Sequence, residues 1–162
     1  MTSAGASHRR AELGLIGDAG FAAAFGVAVG AAAFLGALWL RRGVSEEIAV
    51  VIGFFTVGAV IGGGASAALM RRRLVGAGLG PRLAASLLCL LLATTGTHVL
   101  LLFAEYTGYY AQWWPSSLGG QIKAAASTLG GVGFYYVSIG LPLLLPAGFP
   151  VLLASAFWLA RR

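Results

Sequence analysis

The sequence predicts an all-α protein that crosses a membrane four times, and three observations carry this. Hydrophobic residues make up 59% of the 162 residues and charged residues 10%, against about 45–50% and about 25% in soluble domains. Four apolar stretches, at about residues 17–40, 48–70, 82–105 and 132–160, carry charge only near their ends, and each reaches the ~20 residues that a bilayer crossing needs. The arginines gather at the ends of those stretches: Arg9 and Arg10, Arg41 and Arg42, Arg71 to Arg73 with Arg82, and Arg161 with Arg162. A bilayer core offers backbone groups no water, so each stretch must be a helix that satisfies its own N–H and C=O groups. The whole chain, residues 1–162, reads as one four-helix transmembrane domain.

The elements follow in order. The first span begins near Asp18 and stops before Gly43. Its apolar run is about twice the length of a signal-peptide core, and no small-residue cleavage site follows it, so an uncleaved span is expected. Ser45 with Glu46 and Glu47 supplies an N-cap and an acidic first turn for the second helix. Gly76, Gly78 and Gly80 break the chain before Pro81, which suits the first turn of the third helix. Position 81 is Pro where the third Gly of a dinucleotide fingerprint would stand, and no βαβ pattern surrounds it. Leu118, Ile122, Ala125 and Leu129 then recur at helical spacing with Gln121 and Lys123 among them, as in a short interfacial helix. The fourth span contains Pro142, Pro146 and Pro150, spaced by four. Each proline removes a backbone hydrogen bond and crowds the carbonyl four residues earlier, so this span should be kinked or broken.

Orientation follows from the arginines. With four spans, one side holds Arg9, Arg10, Arg71 to Arg73, Arg82, Arg161 and Arg162, and the other only Arg41, Arg42 and Lys123. The positive-inside rule then places both termini in the cytoplasm. Trp39 and Trp158 fall at opposite interfaces. A five-span arrangement, splitting 118–160 into two crossings, would bury Gln121 and Lys123 and send Arg161 and Arg162 outside. The net charge of +6 thus reads as anchoring at anionic lipid headgroups, about 1 kcal/mol per arginine, and not as a nucleic-acid surface. The composition is rich in Ala, Gly and Arg with Lys123 as the one lysine. It suggests a GC-rich bacterial genome, and with it multi-pass insertion in the inner membrane.

Lipid supplies little hydrophobic drive between helices, so close backbone approach at small residues must hold them together. Ala22, Gly26 and Gly30 in the first span and Gly58, Gly62 and Ser66 in the second form such stripes, flanked by Ala59, Gly63 and Ala67. The simplest use is packing of the first helix on the second within one chain; the other is a homodimer face.

The polar residues supply the functional candidates. His98 lies in the third span, with Thr94 four residues before it and Glu105 seven after, on one helix face. An ionisable group at that depth serves as a proton relay, a ligand contact, or a neutral hydrogen bond between helices. Haem would need a second membrane histidine, and His8 lies in the tail. Asp18 either takes part in proton or cation transfer or pairs with the arginines on its side. Cys89 stands alone in an apolar run, as a small packing residue. Glu105 to Trp114 is dense in aromatics, and Tyr135 and Tyr136 fall on the same expected side. Tyr109, Tyr110, Gln112 and Trp113 form either an interfacial belt or an outward site for a sugar, headgroup or quinone-like ring.

No catalytic residues, metal-ligand spacing or cofactor motif emerge, so no catalysis and no cofactor are expected. The sequence favours a non-enzymatic accessory, assembly or scaffold subunit, whose partners are other membrane proteins or a second copy. The alternative is a small oligomeric transporter or channel subunit using the broken fourth helix and His98.

Overall fold

A computed structural model describes residues 3–40, 46–73, 78–145 and 147–162, and side chains within these except those of 3–15, 47, 72 and 73. The expected roles of Arg9, Arg10, Arg41, Arg42, Gly43, Ser45, Arg72, Arg73, Gly76 and Pro146 therefore lie outside the described residues or side chains. Among the described residues there are six α-helices: α1 (Ser3–Trp39), α2 (Glu46–Arg73), α3 (Leu79–Tyr109), α4 (Leu118–Tyr135), α5 (Leu141–Leu144) and α6 (Gly148–Arg161). A 3₁₀ turn, Ala111–Trp113, follows α3, and one π-helical turn, Tyr136–Gly140, joins α4 to α5. Among the described residues there is no strand. Among the described residues, four segments are long and apolar enough to cross a membrane: Ile16–Trp39, Ile48–Arg71, Leu79–Tyr109 and Leu118–Leu144. This is the architecture of a multi-pass membrane protein, with α6 as a shorter fifth apolar helix.

Glycines decide how α1, α2 and α3 meet. A side chain at Gly26 would strike Val60, and one at Gly30 would strike Thr56, so α1 and α2 run antiparallel in close contact. Gly63 accepts the ring of Phe25. Gly58 and Gly62 do not share this seam. A Cβ at Gly62 would stand 2.7 Å from Thr94 Cα and 2.8 Å from Thr94 N, and one at Gly58 would collide with the His98 ring. The small residues of α2 thus serve two neighbours, α1 on one face and α3 on another. A 3.6-residue repeat puts positions one or five apart on separate faces, which is why one sequence stripe divides between two helices. Along α3 the buried residues are Ser86, Leu90, Thr94, His98 and Leu102, every fourth position.

The last third of the chain departs from a simple fourth span. The helix expected before it begins at Leu118, where Gly120 donates its N–H to Ser117 Oγ at 3.3 Å. It then continues unbroken through the π turn to Leu144. In that turn Leu141 N–H reaches the Tyr136 carbonyl, five residues back. Pro142 follows immediately and cannot donate to Ser138, so the wider turn accommodates the missing bond. The break comes at Leu145, which is extended (φ −85°, ψ 140°). It precedes a proline in the sequence, and that position disfavours the α region. Pro150 sits in the first turn of α6, where a missing N–H is harmless.

Contacts fix the path. Trp158 stacks on Phe21 at 4.9 Å, and Arg162 reaches Asp18 at 3.4 Å. Arg71, at the end of α2, reaches the same carboxylate at 3.2 Å. Arg162 therefore lies on the Arg71 side, against a five-crossing arrangement. Since α3 ends at the opposite end of the bundle, residues 118–161 return the chain to the Asp18 end. The 14 residues of α6 span about 21 Å of that return, which leaves much of α4 surplus to it. Only Val132 of α4 is buried.

Substituting Gly62→Leu should drive a side chain into the α3 backbone and lower stability by about 3 kcal/mol. Gly53→Leu, where a Cβ meets nothing within 4 Å, should change it by less than about 0.5 kcal/mol. Unfolding of both variants in detergent, followed by circular dichroism, measures the contrast.

Candidate functional site

Three polar places stand out: a nest around His98, an aromatic cleft at the far end of α3, and a carboxylate clamp at Asp18. The nest is the deepest. His98 is 1% exposed, and its Nε2 lies 2.9 Å from the Phe55 carbonyl of α2. The bare face of Gly58 lets the imidazole approach that closely. Nε2 donates, since a carbonyl can only accept, so the neutral ring carries its proton there and leaves Nδ1 as an acceptor. Nδ1 is buried without a partner. The Phe55 ring meets the imidazole edge-on at 4.8 Å, and Tyr136 from the π turn lies 5.9 Å away. The Tyr136 hydroxyl meets the Thr95 side chain.

One turn below His98, Thr94 is 8% exposed, and its Oγ1 is buried without a hydrogen-bond partner. It borders a cavity of about 150 Å³ at the break between α5 and α6. Thr94 is the central residue of α3, so this cavity lies near the middle of the bundle. His98 itself does not line it.

Glu105 is not part of this nest. It is exposed and lines a separate cleft of about 540 Å³ with Val50, Phe54, Tyr106, Tyr109, Tyr110 and Tyr135. Seven residues from His98 the helix face has drifted off the buried line, which runs by fours to Leu102. Of the expected aromatic group, Tyr109 and Tyr110 line the cleft, with rings 4.9 Å apart. Gln112 and Trp113 do not; both sit exposed in the 3₁₀ turn, although the Trp113 ring stands 5.9 Å from that of Tyr110. Tyr135 and Tyr136 also part company, because adjacent helical residues point about 100° apart. Tyr135 faces the cleft and Tyr136 faces His98. The parts that sequence reading missed are the Phe55 carbonyl and the inward turn of Tyr136. The run Tyr136, Gly140, Leu143 was the one available signal for the last.

Asp18 has 14% of its side chain exposed and takes ion pairs from Arg71 and Arg162. Arg162 also lies 4.0 Å over the Trp158 ring. The clamp ties α1, α2 and α6 together at one end. It engages the carboxylate in structure. Among the described residues no group of three or more His, Cys, Asp or Glu comes together. His98 Nε2 is already engaged by the Phe55 carbonyl. Comparison with protein families, curated proteins and solved structures finds no match to this chain.

His98→Ala should remove both ring packing and the bond to Phe55 and lower stability by about 2–5 kcal/mol. Thr94→Val should do the reverse in delipidated protein and raise stability by about 1 kcal/mol, since it replaces an unpaired buried hydroxyl with a methyl. Denaturant titration of the two variants checks both signs. Asp18→Asn should lower stability on the order of 1 kcal/mol, with high salt erasing most of the difference from wild type.

Proposed function

We propose that the protein is a non-enzymatic subunit of a larger complex in a bacterial inner membrane, held through α4 with both termini in the cytoplasm. The observation that carries this reading is the state of α4. Of its 18 residues only Val132 is buried. Side chains added at Gly119, Gly130, Gly131 or Gly133 would meet nothing within 4 Å. Glycine in a helix costs about 1 kcal/mol relative to alanine, and at Gly26, Gly30, Gly58, Gly62 and Gly63 a neighbouring helix lies against the bare backbone. Small residues on a membrane helix are recovered by close packing with another helix, here one supplied by another protein. The exposed Leu118, Ile122 and Phe134 give that partner apolar anchors. Arginines at the helix ends would hold the assembly at anionic headgroups. The polar nest around His98 then serves packing, not chemistry.

A second reading, a small oligomeric transporter or channel, is favoured by one feature: α6 begins at mid-membrane beside a cavity, as broken helices of transporters do. Flux into proteoliposomes that disappears in His98→Ala would support it.

Native mass spectrometry of tagged protein, extracted gently from its own membrane, tests the first reading. The expected result is stoichiometric co-purification with a larger membrane protein, lost in Gly131→Leu while the chain itself stays folded. Recovery of the chain alone, or only as copies of itself, would overturn it.

A further inference from the structure

Four of the five tyrosines of this chain open onto one cleft. Tyr106, Tyr109 and Tyr110 come from the end of α3, and Tyr135 from the end of α4. An interfacial belt spreads such rings around a bundle; here they gather beside one carboxylate, Glu105. Glu105 and Tyr109 stand four apart on one row of the helix, and Tyr106 and Tyr110 form the row beside it. The Tyr110 ring lies 5.7 Å from that of Tyr106 and 4.9 Å from that of Tyr109, at 82° to the latter. Tyr106 is 44% exposed, Tyr110 43% and Tyr109 73%, so these rings do not serve to fill the core. The floor is apolar, from buried Leu102 and half-buried Phe54 of α2. The volume of about 540 Å³ falls within the range of about 300–1,000 Å³ for small-molecule sites.

The charge of the cleft is one-sided. Glu105 is exposed, and among the described residues it has neither an ion pair nor a hydrogen bond. Asp18, by contrast, takes two arginines. No arginine or lysine among the described residues lines the cleft. Glu46, the first residue of α2, precedes Val50 and Phe54 on one helix row and adds a second negative charge at that end. The face of a tyrosine ring carries the negative part of its quadrupole and attracts a cation within about 6 Å of its centroid. A carboxylate beside several such faces repels anions and selects positive charge. A primary ammonium holds its water strongly, whereas a methylated one sheds it readily and presents apolar methyls to the rings. A zwitterionic headgroup fits less well, because its phosphate meets no cation in the described lining.

We propose that this cleft binds a quaternary ammonium cation with an apolar substituent. Its methyls lie against the tyrosine rings, Glu105 balances its charge, and its substituent rests on Phe54 and Leu102. The cleft lies at the last turn of the Leu79–Tyr109 span, an interfacial depth that suits a molecule with one charged and one apolar end. The site is independent of the partner reading, which uses the glycines of α4 and not Tyr135.

The test uses the full chain with ring-labelled tyrosine in polyoxyethylene detergent micelles, which carry no charge, sugar or choline. The probes are benzyltrimethylammonium and neopentylbenzene, which has carbon in place of the nitrogen. Benzyltrimethylammonium is expected to shift the NMR signals of Tyr106, Tyr109, Tyr110 and Tyr135 saturably, at one molecule per chain, and to leave buried Tyr136 unmoved. Neopentylbenzene should bind roughly tenfold more weakly. Glu105→Gln should weaken the cation roughly threefold. Tyr109→Leu should weaken it roughly fivefold, and Tyr109→Phe, which keeps the ring face, should restore it. Both residues are exposed, so these variants leave the packed core intact. Phosphatidylcholine added at equal concentration should not displace the cation. No saturable shift, equal binding of the two probes, unchanged affinity in Glu105→Gln or in Tyr109→Leu, or displacement by phosphatidylcholine would each overturn the proposal.

Discussion

Everything in this molecule depends on how closely α2 approaches its two neighbours. Between helices in a bilayer there is no water to expel, so attraction comes from dispersion and from polar contacts made at short range. Gly62 against the Thr94 backbone and Gly26 and Gly30 against Val60 and Thr56 bring the helix backbones together. At that separation Gly58 leaves room for an imidazole to reach the Phe55 carbonyl. The polar nest is thus a consequence of the glycine contact. Without it His98 would be a polar group in hydrocarbon with no partner.

The prolines set the second level of organisation. A continuous fourth helix would have carried Tyr136, Leu143 and Trp158 along one axis. The π turn and the extended Leu145 divide that run into three successive parts. One part sets Tyr136 against His98, the next puts the Leu143 carbonyl over Gly36, and α6 returns along α1 to the Asp18 clamp. A cavity lies beside the break at Leu145, lined from α1, α3, α5 and α6. Most of α4 lies outside the packed core, with Val132 its one buried residue, and side chains at Gly119, Gly130, Gly131 and Gly133 would meet nothing within 4 Å.

The sequence by itself determined the class of structure. Apolar run length and the scarcity of charge dictate helices of bilayer length, and a proline repeat of four dictates an interruption. The stripes of small residues announce close packing. These are local properties of the chain, legible because each acts through a period or a length. Which face meets which helix is different, because it depends on crossing geometry and on residues far away in sequence. Tertiary structure alone assigned Gly58 and Gly62 to α3, sent Glu105 to the outer cleft away from His98, and separated Tyr135 from Tyr136. It alone brought Arg71 and Arg162 onto one carboxylate from chain positions 91 residues apart. It left Thr94 Oγ1 unpaired at the edge of a cavity. A hydroxyl's lack of a partner is a property of its surroundings in space, and no spacing in the sequence encodes it.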